Sequence, residues 1–273
     1  MIARIFPRRT NARPNDEYAF VGDPPLPIFV PEDITEVHVS VAFTWDLPEA
    51  ERLAYAWERI APVKIGGPAT GMRGEDFVPG RYLRPGYVIT SRGCDRKCWF
   101  CSVHEREGNV RELPVTQGWI VLDDNLLACS YEHQARVFNM LRNLKTYRSP
   151  EFTGGIEAKR LIPWHIEIFQ ILRPKQIFFA YDTPDDLPPL VEAMRLFRAE
   201  NYGTRNNLRC YVLVGYPGDT FDKAETRLNM VMRLGMGPMA MLYRDESGKT
   251  TPEWRRFQCS WARPAAIYAR ERK

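Results

Sequence analysis

Three of the six cysteines in this chain fall within eight residues, in the run Cys94-Asp95-Arg96-Lys97-Cys98-Trp99-Phe100-Cys101. Their spacing is C-x3-C-x2-C. A thiolate is a soft ligand that suits iron–sulfur clusters, zinc or copper, and spacing this close lets one loop wrap a metal centre. Three thiolates rather than four suggest a centre with one open coordination position. His104 follows at C-x2-H, so the residues leave a second reading open, a structural Cys3His zinc site in a non-catalytic binding module. Cys129, Cys210 and Cys259 are scattered and read as small buried hydrophobes.

The chain that must position this loop has 273 residues, 44% hydrophobic and 26% charged, with a net charge of +4. These are ordinary values for a globular protein able to bury a sizeable core. The near-balanced charge neither demands nor excludes a nucleic-acid partner. The N-terminus carries no signal-peptide pattern, and no stretch approaches the ~18 apolar residues of a membrane span. A cytoplasmic protein without membrane association is the expectation. In that compartment clustered cysteines bind metal or act in redox chemistry more often than they form disulfides.

Residues 1–36 are proline-rich and read as irregular, extended chain. Val37, Val39, Val41 and Phe43 alternate with polar or small residues, which is strand spacing. Asp46 and Glu49 make a capping-box pair before a helix with Leu53, Trp57 and Ile60 on one face. Val63 to Ile65 is a further strand, and Gly66-Gly67-Pro68 a turn. From residue 86 onward strands and helices alternate. Strands are expected at 87–90, 119–122, around 153–157, at 177–181, 210–214 and 238–243. Helices follow Ser130 and Pro163 and carry Leu190, Met194 and Phe197, then Leu228, Val231 and Met232. This gives roughly six β-α units, which implies a parallel sheet or barrel. Polar or glycine residues end the strands at Cys94, Asp123 to Asn125, Glu157, Asp182 and Gly215. Parallel α/β folds build their sites along that edge. The fold expected is therefore α/β. A partial (β/α)6 TIM-like barrel (81–245) follows a small, degenerate Rossmann-like α/β region (1–80), and a C-terminal extension (246–273) covers the barrel.

At this point the sequence resembles the radical SAM superfamily. The C-x3-C-x2-C loop with Phe100 before its last cysteine is similar to that family's cluster loop. Val212-Leu213-Val214-Gly215-Tyr216-Pro217-Gly218-Asp219-Thr220 resembles its fifth-strand segment. Val121-Leu122-Asp123-Asp124-Asn125, with Glu107-Gly108 and Arg111, resembles the branch whose members carry a cobalamin-type N-terminal domain. The likeness covers residues about 84–245. It implies a [4Fe-4S] cluster on Cys94, Cys98 and Cys101, with S-adenosylmethionine on the fourth iron. Reductive cleavage of S-adenosylmethionine would give a 5′-deoxyadenosyl radical that abstracts hydrogen from a substrate the sequence does not name. It also implies a flavodoxin- or ferredoxin-type electron donor. Phe100, Asp124, Glu157, Asp182 and Gly215 are the implied cofactor contacts. The chain departs from the branch in lacking an Asp-x-His-x-x-Gly pattern, which argues against cobalamin, and in lacking a second cysteine triplet. A methyl- or methylthio-transferase acting on RNA or protein is the runner-up within the enzyme class. Arg96-Lys97 reads as a solvated face and Trp99 as packing.

Overall fold

The structure is a computed structural model that describes residues 1–262 and residue 267. Its strands form two parallel sheets, each with its own buried core, and one two-stranded antiparallel pair.

The first sheet is built from β1 (Ile2–Phe6), β2 (Ala19–Val21), β3 (Glu36–Ser40) and β4 (Val63–Gly66), with helix α1 (Leu47–Trp57) between the last two. The strand order is β2-β1-β3-β4, with Ile2 opposite Glu36 and Val37 opposite Val63. The proline-rich start therefore holds two strands where irregular chain was expected. The pattern hides β1 because it is a central strand, covered on both sides. Ala3 and Ile5 are fully buried. Arg4 between them is nearly so, paired with Asp16 and donating to the carbonyls of Gly80 (3.2 Å) and Arg81 (3.3 Å). A buried strand need not alternate apolar with polar residues.

Helix α1 buries Leu53 and Trp57 completely, each contributing about 1.5–3 kcal/mol. Ile60 lies beyond its last turn but packs on the same core. The expected capping box does not form. Asp46 caps nothing with its side chain and takes both Nε (2.5 Å) and Nη2 of Arg8, while Glu49 pairs with Arg52 at 2.8 Å. An arginine fork outcompetes a lone backbone N–H for this buried carboxylate.

In the second region β5 (Tyr87–Val88) runs into the cysteine loop. The loop contains β6 (Ser91–Arg92), the short helix α2 (Val103–Arg106) and β7 (Arg111–Glu112), with β6 and β7 paired antiparallel. The chain continues through β8 (Ile120–Val121), α3 (Tyr131–Arg142), β9 (Glu151–Phe152), α4 (Pro163–Leu172), β10 (Gln176–Ala180), α5 (Leu187–Ala199), β11 (Leu208–Val214), α6 (Phe221–Arg233), β12 (Gly237–Leu242) and α7 (Pro252–Ala262). The six-stranded sheet is parallel throughout, in the chain order β5-β8-β9-β10-β11-β12.

Ser130 caps α3 as expected, accepting from His133 N at 3.2 Å. The strand expected near 153–157 ends earlier, at Phe152. Thr153 and Gly154 both donate to Val121 O, and Ile156 N then donates to Phe178 O at 2.7 Å. The two glycines let the chain swing from β8 across to β10. Helix α7 packs on β12, with Trp254, Phe257 and the buried Trp261 joining the core. The remainder of the C-terminal extension, 263–266 and 268–273, lies outside the described residues. Among the described residues no helix is long and apolar enough to cross a membrane.

Candidate functional site

The cysteine loop is held from below by three consecutive residues at the end of β8. Asp123, 2% exposed, accepts from Thr90 N (2.6 Å), Thr90 Oγ1 (2.5 Å) and Ser91 Oγ (2.9 Å). The Thr90 hydroxyl proton is thereby committed to Asp123, so the fully buried His133 donates from Nε2 to Thr90 Oγ1 at 3.1 Å. Asp124 accepts from Gly93 N at 2.8 Å. Gly93 sits at φ +88°, where a Cβ would collide with the Asn109 backbone, so only glycine fits this turn. Burial raises the carboxyl pKa of Asp123 and of Asp124 despite these donors. Asn125 turns its Nδ2 toward Cys94 Sγ (3.5 Å) and Glu157 Oε2 (2.8 Å).

Cys94, Cys98 and Cys101 are free and partly exposed. Cys94 Sγ also accepts from Arg96 N at 3.4 Å, and Cys101 N donates to Cys98 O at 3.0 Å. Burial pushes the Cys98 and Cys101 thiols up, and a bound metal reverses that by deprotonating a coordinating thiol. His104 lies on α2 with Nε2 3.9 Å from Glu105 and a buried Nδ1 without a hydrogen-bond partner. Among the described residues no three Cys, His, Asp or Glu side chains converge as ligands of a single ion.

Arginines tie the loop to the neighbouring strand ends. Glu157 accepts from Arg160 Nε at 2.7 Å and faces Arg96 at 3.9 Å, and Arg160 also pairs with Asp95. Arg96 donates to Asp186 Oδ1 at 2.9 Å. The other Asp186 oxygen accepts from Asp182 N (3.1 Å), Thr183 N (2.8 Å) and Thr183 Oγ1 (3.0 Å). Asp182, after β10, accepts from Leu213 N at 2.9 Å. Burial first, then the nearby Asp186, pushes its carboxyl up to about 6. Gly215, after β11, donates from N to Asp219 (2.8 Å), which is itself paired with Arg227 at 2.8 Å. At φ +73° its missing Cβ would lie 2.8 Å from Leu242 and 3.0 Å from Trp254. Trp99 is 59% exposed and meets Phe100 (5.4 Å), Tyr216 (5.7 Å) and Tyr243 (5.6 Å) ring to ring.

The sequence-derived site residues thus come together at one edge of one sheet. Cys94, Asp124 and Glu157 are linked through Gly93 and Asn125, Asp182 through Asp186 and Arg96, and Gly215 and Phe100 through Tyr216 and Trp99. Sequence reasoning gave no role to Arg160 or Asp186, marked Asn125 only as part of a strand-end run, and read Arg96 as a solvated face, whereas it bridges the loop to Asp186. Asn125 completes the Asp-Asp-Asn run and Arg96 lies inside the cysteine motif, so both carried a signal. Asp186, four residues beyond Asp182, reads only as a helix-start residue. Cys129, with a thiol pushed by burial to about 11, and the fully buried Cys210, also raised by burial, are not exposed nucleophiles, whereas Cys259 on α7 is exposed and not the small buried hydrophobe expected.

The chain is 26% identical over 236 residues to the ribosomal protein uS12 methylthiotransferase RimO of Synechocystis sp.. The matched stretch is 74% of this chain and 52% of that protein, so the chain spans about half the length of the curated relative. No protein-family model matches.

Proposed function

We propose that the chain is a radical SAM enzyme, with Cys94, Cys98 and Cys101 holding a [4Fe-4S] cluster. The observation that carries this reading is the second layer of contacts around Cys94. Its sulfur accepts from a backbone N–H and from the Asn125 amide, two donors that favour a thiolate and accompany iron–sulfur ligation. Asn125 Oδ1 is buried and lacks a partner, an acceptor that a polar ligand bound at this edge satisfies.

We divide the chain at 80/81 and 245/246 and read residues 81–245 as a partial barrel. A flat sheet would place its edge strands, β5 and β12, about 24 Å apart at about 4.8 Å per strand. Trp99, in the loop following β5, nevertheless meets Tyr216 and Tyr243 at the ends of β11 and β12. Right-handed crossovers in a sheet that never reverses its strand order put all helices on one face, which favours the same curvature.

When bound, the cluster supplies the electron that cleaves S-adenosylmethionine reductively. The residues of this chain position and shield. Asp123 and Asp124 fix the loop backbone, and Asp124 acts on the cofactor through Gly93. Glu157, anchored by Arg160, and Asp182, protonated below pH about 6, are the carboxyl groups that would hold the polar groups of S-adenosylmethionine. Phe100 would offer a ring face or backbone to the adenine, while Gly215, whose missing Cβ faces Leu242 and Trp254, makes the turn that ends β11 at this edge. Electrons come from a flavodoxin- or ferredoxin-type donor.

Methyl- or methylthio-transfer to RNA or protein is the reaction class favoured for the substrate step, because the relative is named as a methylthiotransferase. This chain carries one cysteine triplet of this kind. The test is anaerobic reconstitution with iron and sulfide, followed by reduction with dithionite in the presence of S-adenosylmethionine. Formation of 5′-deoxyadenosine and methionine in equal amounts is expected. An intact four-iron cluster that yields neither product contradicts the proposal.

A further inference from the structure

Asn125 stands between the cluster loop and a braced carboxylate. It is 4% exposed, with Nδ2 3.5 Å from Cys94 Sγ and 2.8 Å from Glu157 Oε2. Glu157 is anchored by Arg160 Nε at 2.7 Å, and Arg160 is held in turn by Asp95. This chain fixes which way the amide points. Flipped, it would set Oδ1 against a carboxylate oxygen and a sulfur, both acceptors. One N–H is therefore spent on the carboxylate and the other is aimed at the sulfur.

We propose that Asn125 raises the reduction potential of the centre on Cys94 by donating this N–H to the ligating sulfur. The inference rests on the reading above, that Cys94 ligates a four-iron cluster. Reduction adds one electron, supplied by a low-potential flavodoxin- or ferredoxin-type donor, and so adds one negative charge to the cluster. A donor pointed at a ligand sulfur stabilises the more negative state more, and hydrogen bonds to sulfur are a principal means by which a protein sets the potential. Burial strengthens the effect, because water does not compete at the amide. The Arg96 N–H on the same sulfur belongs to the backbone and survives any side-chain change. Asn125 is the adjustable donor, and it is a positioning residue because it acts through Cys94.

The experiment is an EPR-monitored redox titration of the full chain, reconstituted anaerobically with iron and sulfide and reduced with dithionite. Wild type is compared with N125A, N125D and T153A, with iron and acid-labile sulfide measured for each. Loss of the donor in N125A is expected to lower the potential by the equivalent of about a tenfold change in the reduction equilibrium, ~59 mV for one electron. N125D loses the same N–H and falls at least as far. T153A removes a buried hydroxyl at the neighbouring strand end, without touching a cysteine, and leaves the potential in place. An unchanged potential in N125A at wild-type iron and sulfide content overturns this inference and leaves the cluster reading standing. A wild-type protein that assembles no four-iron cluster overturns both. If N125A holds no cluster, pulsed EPR on the reduced wild type labelled with 15N-asparagine decides. A nitrogen coupling that changes with the label supports the donor, and its absence overturns it.

Discussion

Both parallel sheets pair carboxylates with arginines, Glu157, Asp186 and Asp219 among them at the edge of the second, but three carboxylates of that edge are held differently. Around the first sheet the carboxylates are neutralised where they stand. Asp23 and Glu49 are held below their usual range by Arg52, Glu36 by Lys64, and Asp46 is gripped by the Arg8 fork. Along the carboxyl edge of the second sheet, burial raises Asp123, Asp124 and Asp182, which face backbone N–H and hydroxyl donors rather than cations. The first pattern serves stability. The second keeps polar groups desolvated at one edge, at a cost in stability, and that is how functional sites are built.

The largest separation between the regions is expected from cysteine loss. Cys98→Ala abolishes four-iron cluster binding and S-adenosylmethionine cleavage while circular dichroism and thermal unfolding stay near wild type. Asp46→Ala does the converse. It strands Arg8 and destabilises by about 1–2 kcal/mol in urea titration, with iron per folded chain unchanged. Loss of cluster in the Asp46 variant would erase the distinction.

A pH-linked effect on stability alone is expected from His165, a buried residue of α4 that bonds to Gln134 of α3. Its Nδ1 accepts from Ile162 N (3.0 Å) and its Nε2 donates to Gln134 Oε1 (2.8 Å), and burial lowers its pKa from 6.5 to about 4. A lowered imidazole pKa means that the unfolded chain takes the proton first. The stabilisation is complete above pH 6.5 and is lost as pH falls toward about 4. The loss amounts to about 3 kcal/mol over that window. Urea midpoints of wild type and His165→Gln between pH 7 and 4 check it, the variant giving the flatter profile.

The effect at Asp182 has the opposite sign. With Asp182 raised from 3.8 to about 6, the folded state holds its proton more tightly. The favourable contribution is full below pH 3.8 and is lost as pH rises through about 6. Asp182→Asn keeps the acceptor for Leu213 N and removes the charge. It is expected to stabilise by about 1–3 kcal/mol at pH 8 and to do nothing at pH 3.5, while lowering 5′-deoxyadenosine yield. Equal melting temperatures of variant and wild type at pH 8 would count against the edge being strained for function.

The β-α alternation after residue 86 was legible because β10 and β11 are continuous apolar runs and the intervening helices carry clear faces. β1 was not, because its central position lets Arg4 be buried within the strand by Asp16 and by carbonyls 76 and 77 residues away. The cysteines, Asp124, Glu157, Asp182 and Gly215 were readable as residues ending strands. Their connections were not. Arg96, next to a cysteine, looks like any surface arginine until the fold brings Asp186 to it, and Asn125 gains meaning only from the sulfur beside it. Sequence spacing marks which residues reach an edge. It does not say which of them touch.

The most direct measurement is Mössbauer spectroscopy of the 57Fe-reconstituted chain with and without S-adenosylmethionine. The expected result is a four-iron cluster in which one iron site alone changes its parameters when S-adenosylmethionine is added. Four irons that all ignore S-adenosylmethionine, or a colourless protein with stoichiometric zinc, would contradict the assignment of Cys94, Cys98 and Cys101 to a cluster with one open iron.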